Sequence, residues 1–179
     1  FYTVDPQSRF SIWVDQEDPA LADTSVATIV RSLNSVPIIT ERAMWWPGNW
    51  TTWTEAHNSP GATETGTKWA IAEGEIGGTG NAQTYILVAN TGGTAGQAKV
   101  TLMFETGSPV SKTIDLPPYS RSSVDVRTAF KEAVGKRFGA VIESLGTKPV
   151  PIVVERAMYT DAGGQSWAAG TNALATKMQ

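Results

Sequence analysis

The sequence predicts an all-β protein made of antiparallel, immunoglobulin-like β-sandwich repeats, one complete and one partial. Three observations favour this fold class. Apolar and polar residues alternate along short segments, turns rich in Gly, Asn and Pro separate these segments, and the chain repeats itself at a spacing of about 112 residues. A unit of that length has the size of one immunoglobulin-like sandwich.

The alternation predicts strands in order along the chain. In residues 99–105 the apolar Val100, Leu102 and Phe104 alternate with residues of the opposite face, which are polar except for Met103, and residues 113–116 continue the alternation. Residues 10–14 repeat this pattern in the first part of the chain, and residues 26–30 correspond to 138–142 in another short strand. Residues 128–136 have a helical composition and predict one short helical turn. Their acidic counterpart, residues 16–23, predicts a loop.

The internal repeat is the most informative feature of the sequence. The Ser-Arg pair at 8–9 recurs at 120–121, which is a shift of 112 residues. Residues 36–44 recur at 150–158, a shift of 114, with seven of the nine positions identical. The same shift places Trp53 on Trp167 and Asn58 on Asn172. Such agreement predicts two copies of one structural unit.

The two copies differ in completeness. Residues 1–68 match the part of the chain from 113 to the C-terminus, so they predict a partial sandwich unit that corresponds to the C-terminal part of a repeat. Residues 69–179 predict a complete unit. We call these the first copy and the second copy. The first copy has no counterpart of residues 69–112, which contain two strong predicted strands. A slice of a longer array, or completion by strands from another molecule, would explain this.

The best-matched block carries a structural motif in each copy. It consists of Glu41, Arg42 and Met44 in the first copy and of Glu155, Arg156 and Met158 in the second. Neighbouring residues on a strand face opposite ways, so one charged side chain of each pair is expected to be half-buried against a partner. We interpret this as an ion pair or backbone clamp at the boundary between units. Catalysis would need a further acid, base or nucleophile, and none recurs with the motif.

The chain resembles a family of bacterial extracellular tandem repeats. The resemblance is carried by Pro-Ile-Val-Val-Glu-Arg-Ala-Met-Tyr at 151–159, by the Ser-Arg strand before it, and by Trp-Ala-Ile-Ala-Glu-Gly at 69–74 and Tyr-Ile-Leu-Val-Ala-Asn at 85–90. It implies a secreted or surface protein built from sandwich units, and it carries over no catalytic residues. Two departures between the copies stand out: Thr160 replaces Trp46, and Thr171 replaces His57.

Tryptophan residues are the candidate ligand or interface residues. They are Trp13, Trp45, Trp46, Trp50, Trp53 and Trp167. The dense group between 45 and 53 could form an aromatic platform for sugar rings, with Trp46 and Trp50 as the leading residues. The second copy keeps only Tyr159 and Trp167 there, which favours packing in the core or between units. Trp13 lies on the face predicted to point outward and could cover a neighbouring unit.

Composition and residue types exclude or weaken several other functions. The net charge of −3 is spread along the chain without a basic stripe, so nucleic-acid binding is not expected. No apolar run approaches the length of a membrane span, and the absence of cysteine excludes thiolate chemistry.

Acidic residues at 15, 17, 18 and 23 could supply calcium ligands, but the spacing matches no known calcium loop. His57, the only histidine, is expected in an exposed loop. No metal or cofactor is predicted.

The sequence therefore predicts a non-enzymatic, extracellular or cell-surface structural module, such as a spacer, a stalk or a filament subunit. Its expected partners are neighbouring repeat units or identical subunits, which could complete the first copy with their own strands. The alternative is a carbohydrate-binding module that uses the tryptophans.

Overall fold

The computed structural model describes residues 1–46 and 53–179. Its strands are β1 (Glu41–Trp46), β2 (Glu55–Pro60), β3 (Lys68–Ile76), β4 (Gln83–Asn90), β5 (Gly96–Phe104), β6 (Val110–Leu116), β7 (Ser120–Asp125), β8 (Lys136–Ser144), β9 (Ile152–Ala162), β10 (Gln165–Leu174) and β11 (Thr176–Lys177). Its helices are α1 (Val14–Glu17), α2 (Val126–Ala129) and a 3-10 helix at Lys131–Ala133. Strands therefore dominate the chain, as the sequence predicts.

The strands form two larger sheets and a hairpin. Sheet I has four strands in the order β10-β9-β4-β7, and sheet II has five in the order β11-β3-β8-β5-β6. Strands β1 and β2 pair with each other as a separate hairpin. Every strand pairing is antiparallel. The predicted fold class, an antiparallel β-sandwich, is confirmed.

The core lies between sheets I and II. Alternate residues of each strand face this core, as the period of a half-buried strand requires. From sheet I they include Ile86, Val88, Ile152 and Val154, and from sheet II they include Val100, Leu102 and Ile142, all of them fully buried. Burial of each such side chain is worth about 1.5–3 kcal/mol relative to leaving it in water. The alternation predicted for residues 99–105 is thus confirmed for its central part.

The helical turns follow the repeat more closely than the sequence predicted. Asp125 caps α2, because its side chain accepts hydrogen bonds from the backbone N–H groups of Arg127 and Thr128. The helical turn predicted over 128–136 is present, but it begins at Val126 and continues as the 3-10 helix. Helix α1 begins at Val14, 112 residues earlier, so the loop predicted over 16–23 overlaps a helical turn at its start.

Two strands predicted in the first copy do not form. Residues 10–14 and 26–30 are outside every strand, although their counterparts in the second copy belong to β7 and β8. The reason lies in the neighbouring strands. Strand β7 is hydrogen-bonded to β4, and β8 lies between β3 and β5. Within residues 1–179, the first copy has no segment that corresponds to β3, β4 or β5, the strands that complete these ladders in the second copy.

The hairpin β1–β2 is where both copies form the same structure. Glu41 pairs with Pro60 in the first copy, and Glu155 pairs with Leu174 at the corresponding positions of β9–β10. Both partners of the pair are shifted by 114 residues, so the two hairpins share one register. The Glu-Arg-Ala-Met block is therefore a strand with the same cross-strand neighbours in each copy.

No helix in the described parts of the chain is long and apolar enough to cross a membrane.

Candidate functional site

The two copies meet where hairpin β1–β2 lies against the outer face of sheet I. We call this contact the seam. The hairpin contributes Arg42, Trp46 and His57, and the sheet contributes Glu155 and Tyr159. Alternate residues of β1 face the sheet, which leaves Trp45 on the opposite side of the hairpin. The seam makes a third layer on the sandwich.

Trp46 anchors the hairpin. Its ring is only 8% exposed and packs edge-on against Tyr159, with ring centroids 5.5 Å apart. Its indole Nε1 donates a hydrogen bond of 2.7 Å to the backbone carbonyl of Trp167. Tyr85 and Leu87 of sheet I pack against the same group. A tryptophan buried with its N–H satisfied is a strong packing residue, and its face is closed to a ligand. The hypothesis that Trp46 presents its ring to a sugar is therefore wrong.

The chain around β10 is shaped to receive Trp46. A Cβ atom on Gly170 would lie 2.9 Å from the Trp46 ring and 2.7 Å from Tyr159, so this position requires glycine. Nearby, β10 has an irregularity between Gln165 and Ala169. Within it, Trp167 has a φ of 55°, and its backbone N–H donates a 3.0 Å hydrogen bond to Asp161. This bond holds the carbonyl of Trp167 where the indole of Trp46 reaches it.

Asp161 is itself fixed by a second partner. The side-chain amide of Asn81 donates a 2.7 Å hydrogen bond to it. The bonds from Asn81 and from the Trp167 backbone hold the pKa of the Asp161 carboxyl below its usual value. The charged form of Asp161 is thus the one that supports the seam.

The ion pair of the seam joins the two Glu-Arg blocks. Arg42 Nη2 lies 2.9 Å from Glu155 Oε1, and the side-chain amide of Asn172 also donates to this carboxylate. About a third of the Arg42 side chain is exposed, so the pair contributes on the order of 0.2–1 kcal/mol. Its main effect is on register, because it links the motif of the first copy to the motif of the second.

The corresponding arginine of the second copy has a different partner. Arg156 is only 5% exposed, faces the core side of β9, and pairs with Glu73 of β3 at 3.1 Å. Arg42 and Arg156 thus occupy the same position of the repeat and each pairs with a carboxylate. Arg156 joins the two sheets of one unit, whereas Arg42 joins two copies. Met44 and Met158 follow them at matching register positions, opposite His57 and Thr171.

His57 lies within the seam. It is half-buried in β2, with its Nε2 atom 3.5 Å from the hydroxyl of Tyr159. Burial, and after it the charge of Arg42, lowers the pKa of His57, while Glu155 acts in the opposite direction. Burial also raises the pKa of Tyr159. The prediction of an exposed loop histidine is wrong, because β2 carries this residue against sheet I.

Three of the predicted tryptophans form a cluster on the other side of the hairpin. Trp45 stacks on Trp53 with centroids 5.4 Å apart, and Trp13 lies 5.8 Å from Trp53. All three are at least 39% exposed. In the second copy, Tyr159 stacks on Trp167 at 4.5 Å, at the positions that match Trp45 and Trp53. The repeat therefore includes an aromatic stack, covered by Trp46 in one copy and open in the other. Trp50 lies outside the described residues.

Two of the acidic residues near α1 have local hydrogen-bond partners. Glu17 accepts a hydrogen bond from the hydroxyl of Tyr2, and Asp18 accepts one of 2.8 Å from the backbone of Ala20. Over residues 1–46 and 53–179, no group of three acidic, histidine or cysteine side chains is arranged to hold a metal ion.

Sequence reasoning missed Gly170, Glu73 and the role of His57 at the seam. The departures between the copies are the signal that could have found His57 and Gly170, whereas Glu73 has no counterpart in the first copy and carries no such signal. Trp46 and His57, which pack on sheet I, stand where the second copy has Thr160 and Thr171. Gly170, which receives Trp46, stands where the first copy has Ala56.

Comparisons with known proteins show a shared fold. No protein-family model matches the chain, and no curated protein does so either. The crystal structure of Thermotoga maritima 1070 is 20% identical and covers 63% of this chain and 94% of that one, with a TM-score of 0.53. The Anabaena sensory rhodopsin transducer is 27% identical over 50% of this chain and 84% of that one, with a TM-score of 0.43. The likeness to the Thermotoga protein supports the β-sandwich fold alone.

Proposed function

We propose that the chain is a non-enzymatic structural module of an extracellular or cell-surface protein, in which repeat units stack through seams as part of a spacer, stalk or filament. The observation that carries this proposal is the seam. It joins one copy of the Glu-Arg-Ala-Met strand to the other through Arg42 and Glu155, and Trp46, at the end of the same strand, is buried against Tyr159.

The chemistry of the seam suits a load-bearing contact. Aromatic packing supplies area, while the hydrogen bond from Trp46 and the Arg42–Glu155 pair fix one orientation of the hairpin. Directional contacts of this kind resist sliding and rotation of a layer. Rigid orientation between successive units is what a spacer needs in order to hold its ends apart.

The extracellular location is supported by composition and by resemblance. Only 17% of the residues are charged, and Gly, Thr and Ser are abundant, as in many secreted β-proteins. The motif at 151–159 points to the same class of surface repeats. Labelling intact source cells with a membrane-impermeant amine reagent tests this location. Modification only after lysis would contradict it.

The structural role is tested by pulling single molecules through their termini. We expect a separate early release of the hairpin, followed by rupture of the sandwich. Trp46→Ala should abolish the early event, because it removes the buried anchor. Trp45→Ala, the neighbouring substitution on the exposed side, should leave that event in place. Loss of the early event in both variants, or in neither, would contradict a seam built on Trp46.

Carbohydrate binding is the second candidate, because the cluster of Trp13, Trp45 and Trp53 exposes aromatic surface beside the hairpin. Sugar rings stack on such surfaces. A glycan array read with the wild-type chain and with the Trp45→Ala, Trp53→Ala double variant tests it. Binding that disappears in the double variant, while the sandwich keeps its thermal stability, would favour this function over a purely structural one.

A further inference from the structure

The first copy contains the segments of half a sandwich unit in the order found in the second copy. Residues 8–13 correspond to β7, residues 14–17 to α2, residues 24–32 to β8, and the hairpin β1–β2 to β9–β10. Helix α1 and the hairpin already have the structure of their counterparts. Residues 8–13 and 24–32, which are all described, form no strand.

The side chains that would face the interior of this unit are open to solvent. Three apolar residues of the first copy are between 44% and 52% exposed, whereas their counterparts in the second copy are at most 6% exposed. The matched pairs are Ile12 with Val124, Val30 with Ile142, and Ile38 with Ile152. The same apolar positions thus occur in both copies, and only one copy buries them. A surface of this kind indicates a missing partner.

The second copy shows what covers these positions when they are buried. Strand β4 pairs with β7 on one side and with β9 on the other, and β8 lies between β3 and β5. The partners of the β7, β8 and β9 positions therefore come from β3, β4 and β5, which together with β6 form the segment at 68–116. A complement for the first copy needs the same pattern of strands.

An identical chain cannot supply this complement without breaking the strand pairing of its own second copy. Each chain has two sets of segments of the β7–β10 type but only one set of the β3–β6 type, which is already paired within the second copy. Strand exchange between identical chains would fill one set by emptying another. In a polymer of identical chains, as the sequence suggested, each chain would therefore still have one set of β7–β10-type segments without β3–β6-type partners.

We infer that residues 8–46 are an acceptor for a polypeptide segment of the β3–β6 type that lies outside residues 1–179. This inference rests on the structural role proposed above, because it treats the two copies as units of one repeat. The pairing of Ile86 with Val124 in the second copy places an apolar residue of the incoming central strand opposite Ile12. The incoming segment adds strands to open edges through main-chain hydrogen bonds, while apolar pockets select its side chains.

An extended chain tests the inference. Residues 68–112 are repeated directly before Phe1, which joins them in register because position 1 corresponds to position 113. Hydrogen exchange read by mass spectrometry should slow by about a hundredfold or more in residues 8–13 and 24–32, because amides in paired strands open rarely.

A matched control carries Ile86→Asp and Val88→Asp in the added segment alone. It keeps the length and the junction but cannot bury its central strand, so residues 8–32 should exchange as in the parent chain. Protection of β8 in every variant reports whether the second copy is still folded. Fast exchange of 8–32 in the extended chain with β8 protected would overturn the inference.

The occupant is tested with the parent chain alone. We expect light scattering to show no defined dimer in which residues 8–32 are protected. Protection that arises together with a dimer would assign the acceptor to a second copy and overturn the inference. The surface-labelling and single-molecule pulling experiments do not depend on these results. The proposed structural role can therefore fail or hold independently of this inference.

Discussion

The two copies of the Glu-Arg-Ala-Met block have nearly the same sequence and the same hairpin register, but they have different surroundings. In the second copy, β9 lies between β4 and β10, with one face in the core. In the first copy, β1 pairs with β2 and packs on the outside of the other unit. Local sequence therefore determines the hairpin, whereas the strands available beside it determine which surface it buries.

Charge follows the same rule. Arg156 is buried between two sheets with one carboxylate, while Arg42 lies at a half-exposed contact with another. A guanidinium needs a counter-charge where it loses water, and both sites provide one. Both arginines, which occupy the same position of the repeat, require a carboxylate. The layer packed against each one determines which carboxylate it pairs with.

The largest expected difference between the copies is in the free energy of unfolding that is lost when a matched isoleucine is truncated. Ile152→Ala should lower the free energy of unfolding by about 2–5 kcal/mol, because it opens a cavity between sheets I and II. Ile38→Ala, at the same position of the first copy, should change it by less than about 0.5 kcal/mol, since this side chain is exposed. Urea denaturation of the two variants measures both values. Equal losses would mean that the copies bury this position alike.

A smaller effect is expected where Trp46 meets the sheet. Gly170→Ala should destabilise the docked hairpin by about 1–3 kcal/mol, because its new Cβ atom would overlap the rings of Trp46 and Tyr159. The reciprocal control, Ala56→Gly, alters the matching position of β2, which is exposed and receives no ring. Hydrogen exchange of β1 and β2 measures the loss. An unchanged exchange rate in Gly170→Ala would show that the hairpin does not rest on Trp46.

The smallest expected effect is the pH dependence of the seam. The folded chain lowers the pKa of His57 below its ordinary value of 6.5, mainly by burial, so the unfolded chain binds a proton more readily than the folded one. The docked hairpin should therefore be most stable above pH 6.5 and should lose stability as the pH falls through this value toward the lowered pKa.

The comparison that isolates this effect uses His57→Gln, which cannot titrate in this range. Its hairpin should exchange at a rate that depends less on pH between neutrality and mild acid than the wild-type rate does, after correction for intrinsic exchange. Identical pH profiles in the two chains would show that His57 gains its proton equally well in the docked and free states.

Sequence reasoning predicted most of the sandwich and the position of its repeated motif. Alternation identified β5, and the shift of 114 residues matched the two hairpins residue by residue. It failed at residues 10–14 and 26–30, where strand-like patterns occur without strand partners. It also placed His57 in an exposed loop, because the sequence of one segment gives no information on what lies against either of its faces.

Local interactions explain what the sequence determined by itself. Side-chain alternation, turn residues and cross-strand register depend on neighbours within one hairpin or one helical turn, so the two copies reproduce them independently. Only the tertiary structure decided that Arg42 meets Glu155, that Gly170 makes room for Trp46, and that Ile12 and Val30 stay exposed. These contacts depend on which layer of strands packs against each face. The burial of apolar side chains stabilises whichever packing the chain can form.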